Sequence, residues 1–221
     1  SDVSTLAHEL GHAWHNHCMM GLPLSMTDAP MPLAETASIF SETLLANAAM
    51  AQADKKEKLS LLEGNLMETT QTIVDILSRY LFETEVIERR KDHTLSVGEL
   101  KEIMLSAQEQ SYGDGLDPQL RHPYMWACKS HYYISGLAFY NFPYAFGQLF
   151  GAGVFAQYQE KGADFVPKYN QLLRSCGSGM IADVAASVGI DVRSVDFWRS
   201  SLRVYEKEID EFIALADELL G

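Results

Sequence analysis

Apolar residues recur at three- and four-residue spacing along most of the chain, and no run of strict alternation interrupts them. Because this period matches the α-helix while alternation is typical of strands, the pattern predicts an all-α protein. Two stretches carry the clearest apolar stripes, each with polar residues between the apolar positions. They are Leu59, Leu62, Leu66, Ile73, Leu77 and Leu81 in the first half, and Val195, Trp198, Leu202, Tyr205, Ile209, Phe212, Ala216 and Leu219 near the carboxyl end.

Clusters of glycine, proline and aspartate predict where the helices end. These breaks fall at residues 21–32, at 113–118, at Pro123 and at 177–179. No linker is long enough to divide the chain into independently folding halves. We therefore expect residues 1–221 to form one domain.

The segment between Lys129 and Glu160 contains no Asp, Glu, Lys or Arg and is long enough to cross a membrane. It also contains Asn141, Pro143 and four glycines, and no basic cluster on one side sets an orientation. We interpret it as a buried core segment with a helical stripe of phenylalanines. The stripe consists of Phe139, Phe142, Phe146 and Phe150.

The overall charge of the chain indicates which classes of partner it is not expected to bind. The chain has 17 Lys and Arg against 30 Asp and Glu, a formal net charge of −13, and its basic residues are scattered or adjacent to acidic ones. Because nucleic acids are bound by clustered positive charge, we expect no nucleic-acid partner. We also expect no membrane partner. Three cysteines far apart in sequence and no signal-peptide pattern favour a reducing, cytoplasmic location.

Residues 8–12 read His-Glu-Leu-Gly-His. In a helix this spacing places the imidazoles of His8 and His12 on one face, where both can bind one divalent metal ion. Neutral histidines hold Zn²⁺ at about 2.0–2.1 Å, and Glu9 beside that face can take a proton from a metal-activated water. The alternative, two solvated histidines on an amphipathic helix, is disfavoured because the preceding residues 5–7 are apolar enough to bury this face.

A catalytic zinc ion needs a third protein ligand and one open position, so we expect one zinc per chain. A second helix is predicted to begin near Leu33 and to contain Glu35 and, two turns later, Glu42. Glu35 is the candidate third ligand. Glu42 either holds a ligating histidine by its other ring nitrogen or is an exposed helix carboxylate. His15 is interpreted as a packing residue or an outer partner of the site. Small residues that allow this helix to approach the first are Ala34, Ala37 and Ala46.

The run Thr5–His15, followed by Pro32–Glu42, resembles the active-site region of the oligoendopeptidase F branch of the thimet oligopeptidase family of zinc metallopeptidases. The resemblance extends to residues 131–147 and, more weakly, to 189–191 and 197–198. It implies a zincin-like helical catalytic domain with the metal motif on one helix and the third ligand on the next. Since family members carry a long helical region before this motif, it also implies that the chain is the C-terminal catalytic part of a larger protein.

The resemblance also assigns roles in the aromatic segment. A histidine and tyrosines in a segment of this kind line the family's cleft and stabilise the oxyanion that forms during peptide hydrolysis. By resemblance these are His131, Tyr140 and Tyr144. Tyr132 and Tyr133 are competitors for the tyrosine role.

The sequence therefore predicts a zinc-dependent endopeptidase that hydrolyses internal bonds of short peptides. The alternatives are a non-catalytic zinc-binding helical module, or a zinc aminopeptidase or carboxypeptidase. Glu9 favours the enzyme, because a structural site has no use for an unligated carboxylate between its ligands. We further expect an exposed apolar face beside the zinc site, covered by the N-terminal region of the same protein or by a second copy of the chain.

Overall fold

The computed structural model describes residues 2–221, and within this part of the chain every regular element is a helix and none is a strand. The prediction of an all-α fold is confirmed. The α-helices are α1 (Asp2–Met19), α2 (Met31–Ala34), α3 (Thr36–Gln52), α4 (Lys55–Thr70), α5 (Ile76–Arg89), α6 (Val97–Tyr112), α7 (Phe142–Lys161), α8 (Val166–Ser175), α9 (Ile181–Ser187) and α10 (Val195–Leu220).

Shorter helical turns join some of these elements. A π-helical segment, Gln71–Asp75, follows α4 directly and leads into α5, so the first predicted stripe lies on one uninterrupted helical run. The other turns are 3₁₀ helices. The breaks predicted at 113–118, Pro123 and 177–179 fall outside the α-helices, whereas the break predicted at 21–32 includes the first two residues of α2. The 3₁₀ turns are Leu24–Met26, Met125–Cys128, Ser130–Tyr133 and Gly162–Phe165.

The chain packs as two compact units. The first unit comprises the residues up to Met67 together with Phe146–Gly221, and the second unit comprises Glu68–Ala145. Both boundaries lie inside helices, one in α4 and one in α7, rather than in loops. The expectation of one domain stays a prediction.

The core of the first unit lies among α3, α7, α8 and α9. Leu172 and Phe150 are fully buried there, and Phe40 of α3 stacks on Tyr169 of α8 with ring centroids 4.5 Å apart. α1 packs along both α3 and α8. This arrangement holds α1 and α3 side by side on a buried base, and the candidate metal ligands lie on these elements.

The long helix α10 packs against α4 through polar contacts within the first unit. Lys58 forms an ion pair with Glu211, and Asn65 donates a hydrogen bond of 2.7 Å to Glu208. Burial raises the pKa of the Glu208 carboxyl. Since residue numbers rise along α4 as they fall along α10 at these contacts, the two helices run antiparallel.

The second unit is built on α5 and α6. Phe82 of α5 and Ile103 and Met104 of α6 form its small apolar core. A capping box starts α6: the Ser96 side chain accepts from the Glu99 amide, and the Glu99 carboxylate accepts from the Ser96 amide. An irregular segment then follows α6 up to the start of α7.

The expected buried stripe of phenylalanines is wrong for its first half. α7 begins only at Phe142, whose side chain is 44% exposed, while Phe150 is fully buried. Phe139 lies outside the helix with a φ of 56°, and its amide donates 2.7 Å to the Glu83 carboxylate instead of to a helical carbonyl. Pro143 lacks an amide hydrogen and fixes its own φ, so it suits the first turn of a helix.

The uncharged segment is accordingly buried only in part. Tyr133 and Leu137 precede α7 and are exposed, whereas Val154 and Phe155 within α7 are buried. None of the helices formed by residues 2–221 combines the length and apolar composition needed to cross a membrane.

Candidate metal centre

The two motif histidines lie on one face of α1, as the helical spacing predicts. The Nε2 atoms of His8 and His12 are 3.1 Å apart, and each side chain is about one-third exposed. Glu9 is exposed and projects beside this face. The metal motif therefore presents two nitrogen donors together, with a free carboxylate next to them.

Glu35 joins these donors from a position that the sequence placed inside a helix. α2 ends at Ala34, Glu35 adopts φ −88° and ψ 1°, and α3 starts at Thr36. The Glu35 carbonyl accepts from the Ile39 amide at 3.0 Å and so begins the hydrogen-bond ladder of α3. Glu35 is thus the N-cap of α3, and the expected single helix from Leu33 is in fact two.

The three donor atoms form a compact triangle. The Oε2 atom of Glu35 lies 3.4 Å from Nε2 of His8 and 3.4 Å from Nε2 of His12. Ligands bound tetrahedrally at about 2.0–2.1 Å are separated from one another by roughly 3.3 Å. The His2Glu donor set and its spacing therefore fit a zinc ion, and the partial exposure of all three side chains leaves a side open to solvent.

Gly11 makes this triangle possible. A Cβ atom at Gly11 would lie 2.4 Å from the Ala37 carbonyl oxygen and 2.6 Å from Cα of Ser38. Only glycine therefore allows α1 to approach the start of α3 so closely. From the sequence we expected Ala34, Ala37 and Ala46 to allow this approach and did not single out Gly11, although its place between the two motif histidines was the available signal.

α7 supports α3 from another side through two further glycines. A Cβ atom at Gly151 would lie 2.7 Å from the Ile39 side chain, and one at Gly147 would lie 3.6 Å from Cβ of Glu35. Gly151 thus permits a close approach of α7 to α3, while Gly147 lies within ordinary van der Waals reach of Glu35. The start of α3 therefore packs against both α1 and α7.

Two side chains of α3 contact the donor residues. Oε1 of Glu42 lies 3.4 Å from Nδ1 of His8, the ring nitrogen that does not face the triangle. The hydroxyl of Ser38 donates 2.8 Å to Oε2 of Glu35. The structure thus places Glu42 where it can orient His8, while Ser38 was not singled out from the sequence.

His15 lies on the buried side of α1. It is 4% exposed, and its Nε2 is 3.2 Å from the Leu173 carbonyl oxygen of α8. Burial lowers the pKa of His15 below its usual value. These contacts show a packing role between α1 and α8.

The opposite face of α1 is apolar and exposed. Val3, Leu6, Leu10 and Trp14 recur at helical spacing there, with between 43% and 60% of each side chain exposed. We call these four residues the α1 stripe. We expected an exposed apolar face beside the zinc site. The α1 stripe lies on the helix of the metal motif but on the side away from the imidazoles, and what covers it stays a prediction.

The aromatic residues assigned by resemblance form one cluster in the second unit. His131 stacks on Tyr140 with centroids 5.1 Å apart, and the Tyr144 hydroxyl lies 3.4 Å from Nε2 of His131. The competing tyrosines have other partners: Tyr132 donates to the Arg79 carbonyl oxygen, and Tyr133 donates to that of Trp126. The structure thus groups the three candidates and separates both competitors from them.

A cavity of about 330 Å³ adjoins this cluster within the second unit. Arg79 is buried at its wall, where it donates to Asp75 and, at 2.9 Å, to Oδ1 of Asn141. Asn141 follows Tyr140 directly, so this network fixes the chain that carries the cluster. The lining residues are Glu68, Gln71, Thr72, Ile76, Arg79, His131 and Tyr144.

Comparison with known proteins identifies the family. The profile of Peptidase family M3 matches residues 1–204. The chain belongs to this family. It is 28% identical over 222 residues to the chromosomal oligoendopeptidase F of Lactococcus lactis subsp. cremoris, covering 98% of this chain and 36% of that protein. The resemblance to the oligoendopeptidase F branch is thereby confirmed.

Solved structures of the same kind share the fold. Oligoendopeptidase-F from Enterococcus faecium superposes with a TM-score of 0.84 at 20% identity, over 98% of this chain and 39% of that chain. A protein from Chlamydophila abortus superposes with a TM-score of 0.87 at 25% identity, over 97% of this chain and 36% of that chain. This M3 chain spans little more than a third of the length of these proteins.

Proposed function

We propose that this chain carries the catalytic zinc centre of a metalloendopeptidase that cleaves internal bonds of short peptides. The observation that supports this most directly is the triangle of His8, His12 and Glu35, whose edges of 3.1, 3.4 and 3.4 Å suit tetrahedral zinc. A zinc ion held there supplies a Lewis acid for the scissile carbonyl and lowers the pKa of water. Membership of family M3 supports the same assignment.

Glu9 is the proposed general base. It lies on the same helix as both imidazoles but is not one of the three donors of the triangle, so its carboxylate is available to move protons. It takes a proton from the attacking water and passes that proton to the leaving nitrogen. The peptide bond then breaks without a charged amide leaving group.

His131, Tyr140 and Tyr144 are the proposed oxyanion stabilisers. Tyrosine and histidine hydrogens aimed at the carbonyl oxygen offset the negative charge that develops as water adds. The contact between Tyr144 and His131 supports a shared role, because each side chain helps to orient the other. The roles themselves come from the family resemblance.

The alternatives have less support. A purely structural zinc site needs closed coordination, whereas the three donors are partly exposed and adjoin Glu9. An aminopeptidase would need an acidic residue to hold the free amine of its substrate, and we find no Gly-Ala-Met-Glu-Asn-like segment to supply it. Endopeptidase activity is therefore the proposal that we retain.

We also propose that the α1 stripe is covered in the working protein. Exposed apolar surface of this kind usually marks an interface, and the relatives that the chain matches are almost three times as long. The proposed cover is the N-terminal region of the same protein or a second copy of the chain.

We propose a cytoplasmic location for the protein. The three free cysteines agree with this compartment.

Glu9→Gln tests the mechanism. Zinc content, measured by elemental analysis, should stay at one per chain, while hydrolysis of a fluorogenic peptide by the complete polypeptide should fall by about 10²–10⁴-fold. The amide occupies the same space but cannot accept the proton.

Glu63→Gln, on the exposed face of α4, is the matched control and should change neither quantity. If the Glu9→Gln protein were as active as its parent, Glu9 would not be the general base. If the parent protein contained no zinc, the proposed metal centre would be wrong.

A further inference from the structure

Ser38 is the side chain that contacts the third donor of the triangle from behind. It is fully buried on α3, and its hydroxyl lies 2.8 Å from Oε2 of Glu35 and 2.9 Å from the Glu35 carbonyl oxygen. Oε2 is the same atom that lies 3.4 Å from both imidazole nitrogens. One buried hydroxyl therefore contacts the one carboxylate oxygen that faces the proposed metal.

The hydroxyl carries a single hydrogen, and the carboxylate is the stronger acceptor for it. The Glu35 carbonyl oxygen already accepts from the Ile39 amide at 3.0 Å. Hydrogen bonds to an ionised carboxylate are shorter and stronger than those to a neutral carbonyl. The Ser38 hydrogen is thus directed at Oε2.

Glu35 needs such an anchor. Its side chain is 41% exposed and has several rotatable bonds, so without a fixed partner the carboxylate can rotate away from the imidazoles. Ser38, by contrast, is fully buried, and its Cα lies against Gly11 in the close contact between α1 and α3. The Ser38 side chain therefore has less freedom to move than the Glu35 carboxylate that it contacts.

We infer that Ser38 is a positioning residue of the metal centre, which holds Oε2 of Glu35 toward His8 and His12 so that the donor triangle exists before zinc binds. This inference rests on the proposed zinc site. Outer partners of metal ligands typically contribute 10–100-fold to affinity. Ser38 is expected to act on zinc affinity through Glu35 alone.

The first experiment measures zinc affinity of the complete polypeptide by competition with a chromophoric chelator. Ser38→Ala should raise the zinc Kd by about 10–100-fold. Alanine adds no atoms to the buried contact, so the variant should fold. Thermal unfolding of the metal-free proteins checks this. Ser41→Ala, one turn later on α3 and only half-buried, is the matched control and should keep the parental Kd.

The second experiment separates positioning from general structural support. If Ser38 acts only through Glu35, the double variant Ser38→Ala/Glu35→Ala should bind zinc as weakly as Glu35→Ala alone. A further additive loss in the double variant would mean that Ser38 merely supports the fold, and would overturn the inference.

The outcomes also distinguish this inference from the proposed function. If the parent binds one zinc and Ser38→Ala keeps the parental Kd, the role of Ser38 is overturned and the metal centre stands. A parent that binds no zinc, or a Glu35→Ala protein that binds as tightly as the parent, overturns the metal centre and the inference with it.

Discussion

The candidate metal centre in the first unit and the aromatic cluster in the second unit are organised in different ways. His8 and His12 owe their separation to the helical repeat of α1, and Gly11 lets α1 meet the start of α3. His131 lies in a single 3₁₀ turn and Tyr140 in a loop, and the side chain of Arg79 donates a hydrogen bond to Asn141, the residue after Tyr140. Regular helices fix a site through backbone geometry, whereas irregular chain needs a buried polar network to do so.

The two units also differ in how they surround a carboxylate that is fully or partly withdrawn from solvent. Asp75 in the second unit accepts from Arg79 and Tyr112 and lies 3.4 Å from the Lys129 ammonium. Burial and the adjacent Asp75 raise the pKa of Tyr112 to about 12, so this hydroxyl remains a donor at neutral pH. Glu208 in the first unit is half-buried, and among residues 2–221 its hydrogen-bond donor is the neutral amide of Asn65. A paired buried charge organises its surroundings, while an unpaired one is a cost.

Arg79→Met tests whether the buried network holds the aromatic segment, and we expect the largest effect here. It leaves the Asp75 carboxylate buried with Lys129 as the remaining cation and deprives Asn141 of its donor. The free energy of unfolding should fall by about 3 kcal/mol, the lower end for breaking a buried pair, because Lys129 stays. Urea denaturation measures this.

Arg89→Met is the matched control, because Arg89 also pairs with an acid four residues earlier on α5 but at the surface. Removing an exposed pair of this kind should cost no more than about 0.5 kcal/mol. Equal costs for the two variants would show that the Asp75 network does not organise the second unit.

Gly11→Ala tests the corresponding dependence of the first unit on close packing. Its new methyl group would meet the Ala37 carbonyl oxygen at 2.4 Å, and a backbone atom cannot rotate away. We expect a loss of about 1–3 kcal/mol in the free energy of unfolding and weaker zinc binding, since α1 and Glu35 must move apart.

Gly64→Ala places the same methyl group in an exposed helix, with no neighbouring atom within 4 Å. It should stabilise the protein by about 0.5–1 kcal/mol, because alanine favours the helix over glycine. If Gly11→Ala were likewise stabilising and kept the parental zinc affinity, the close approach of α1 and α3 would not be what forms the triangle.

The same contrast explains how much of the molecule could be predicted from the sequence. The helices and the pairing of His8 with His12 follow from periodicity, and most of the breaks follow from clusters of glycine, proline and aspartate, both of which act locally. The break at Glu35 and the left-handed Phe139 depend on hydrogen bonds to particular partners, and periodicity does not contain these. The positions of the phenylalanines were therefore wrong where the chain leaves the helix.

Two polar contacts could have been found from spacing. Asp75 and Arg79 stand four residues apart within an apolar stripe, and Ser38 follows Glu35 by three. Both separations bring side chains together on a helix. What spacing does not reveal is burial, which turns the Asp75–Arg79 pair from a minor surface contact into an anchor.

Glu208→Gln should have the smallest effect and the opposite sign. Burial raises the pKa of Glu208 above its ordinary value of 4.5, so the folded state holds a proton that the unfolded state releases between these two pKa values. The cost of ionising the buried carboxyl is therefore fully present above the raised pKa and absent below about pH 4.5. Glutamine keeps an acceptor for Asn65 without the charge, so the variant should be more stable than the parent at pH 7, and the difference should shrink as the pH falls toward 4.5. Thermal melts from pH 7 to pH 4 measure this. A parent that is the more stable protein at pH 7 would show that the Glu208 charge is compensated after all, and that the two units do not differ in how they bury a carboxylate.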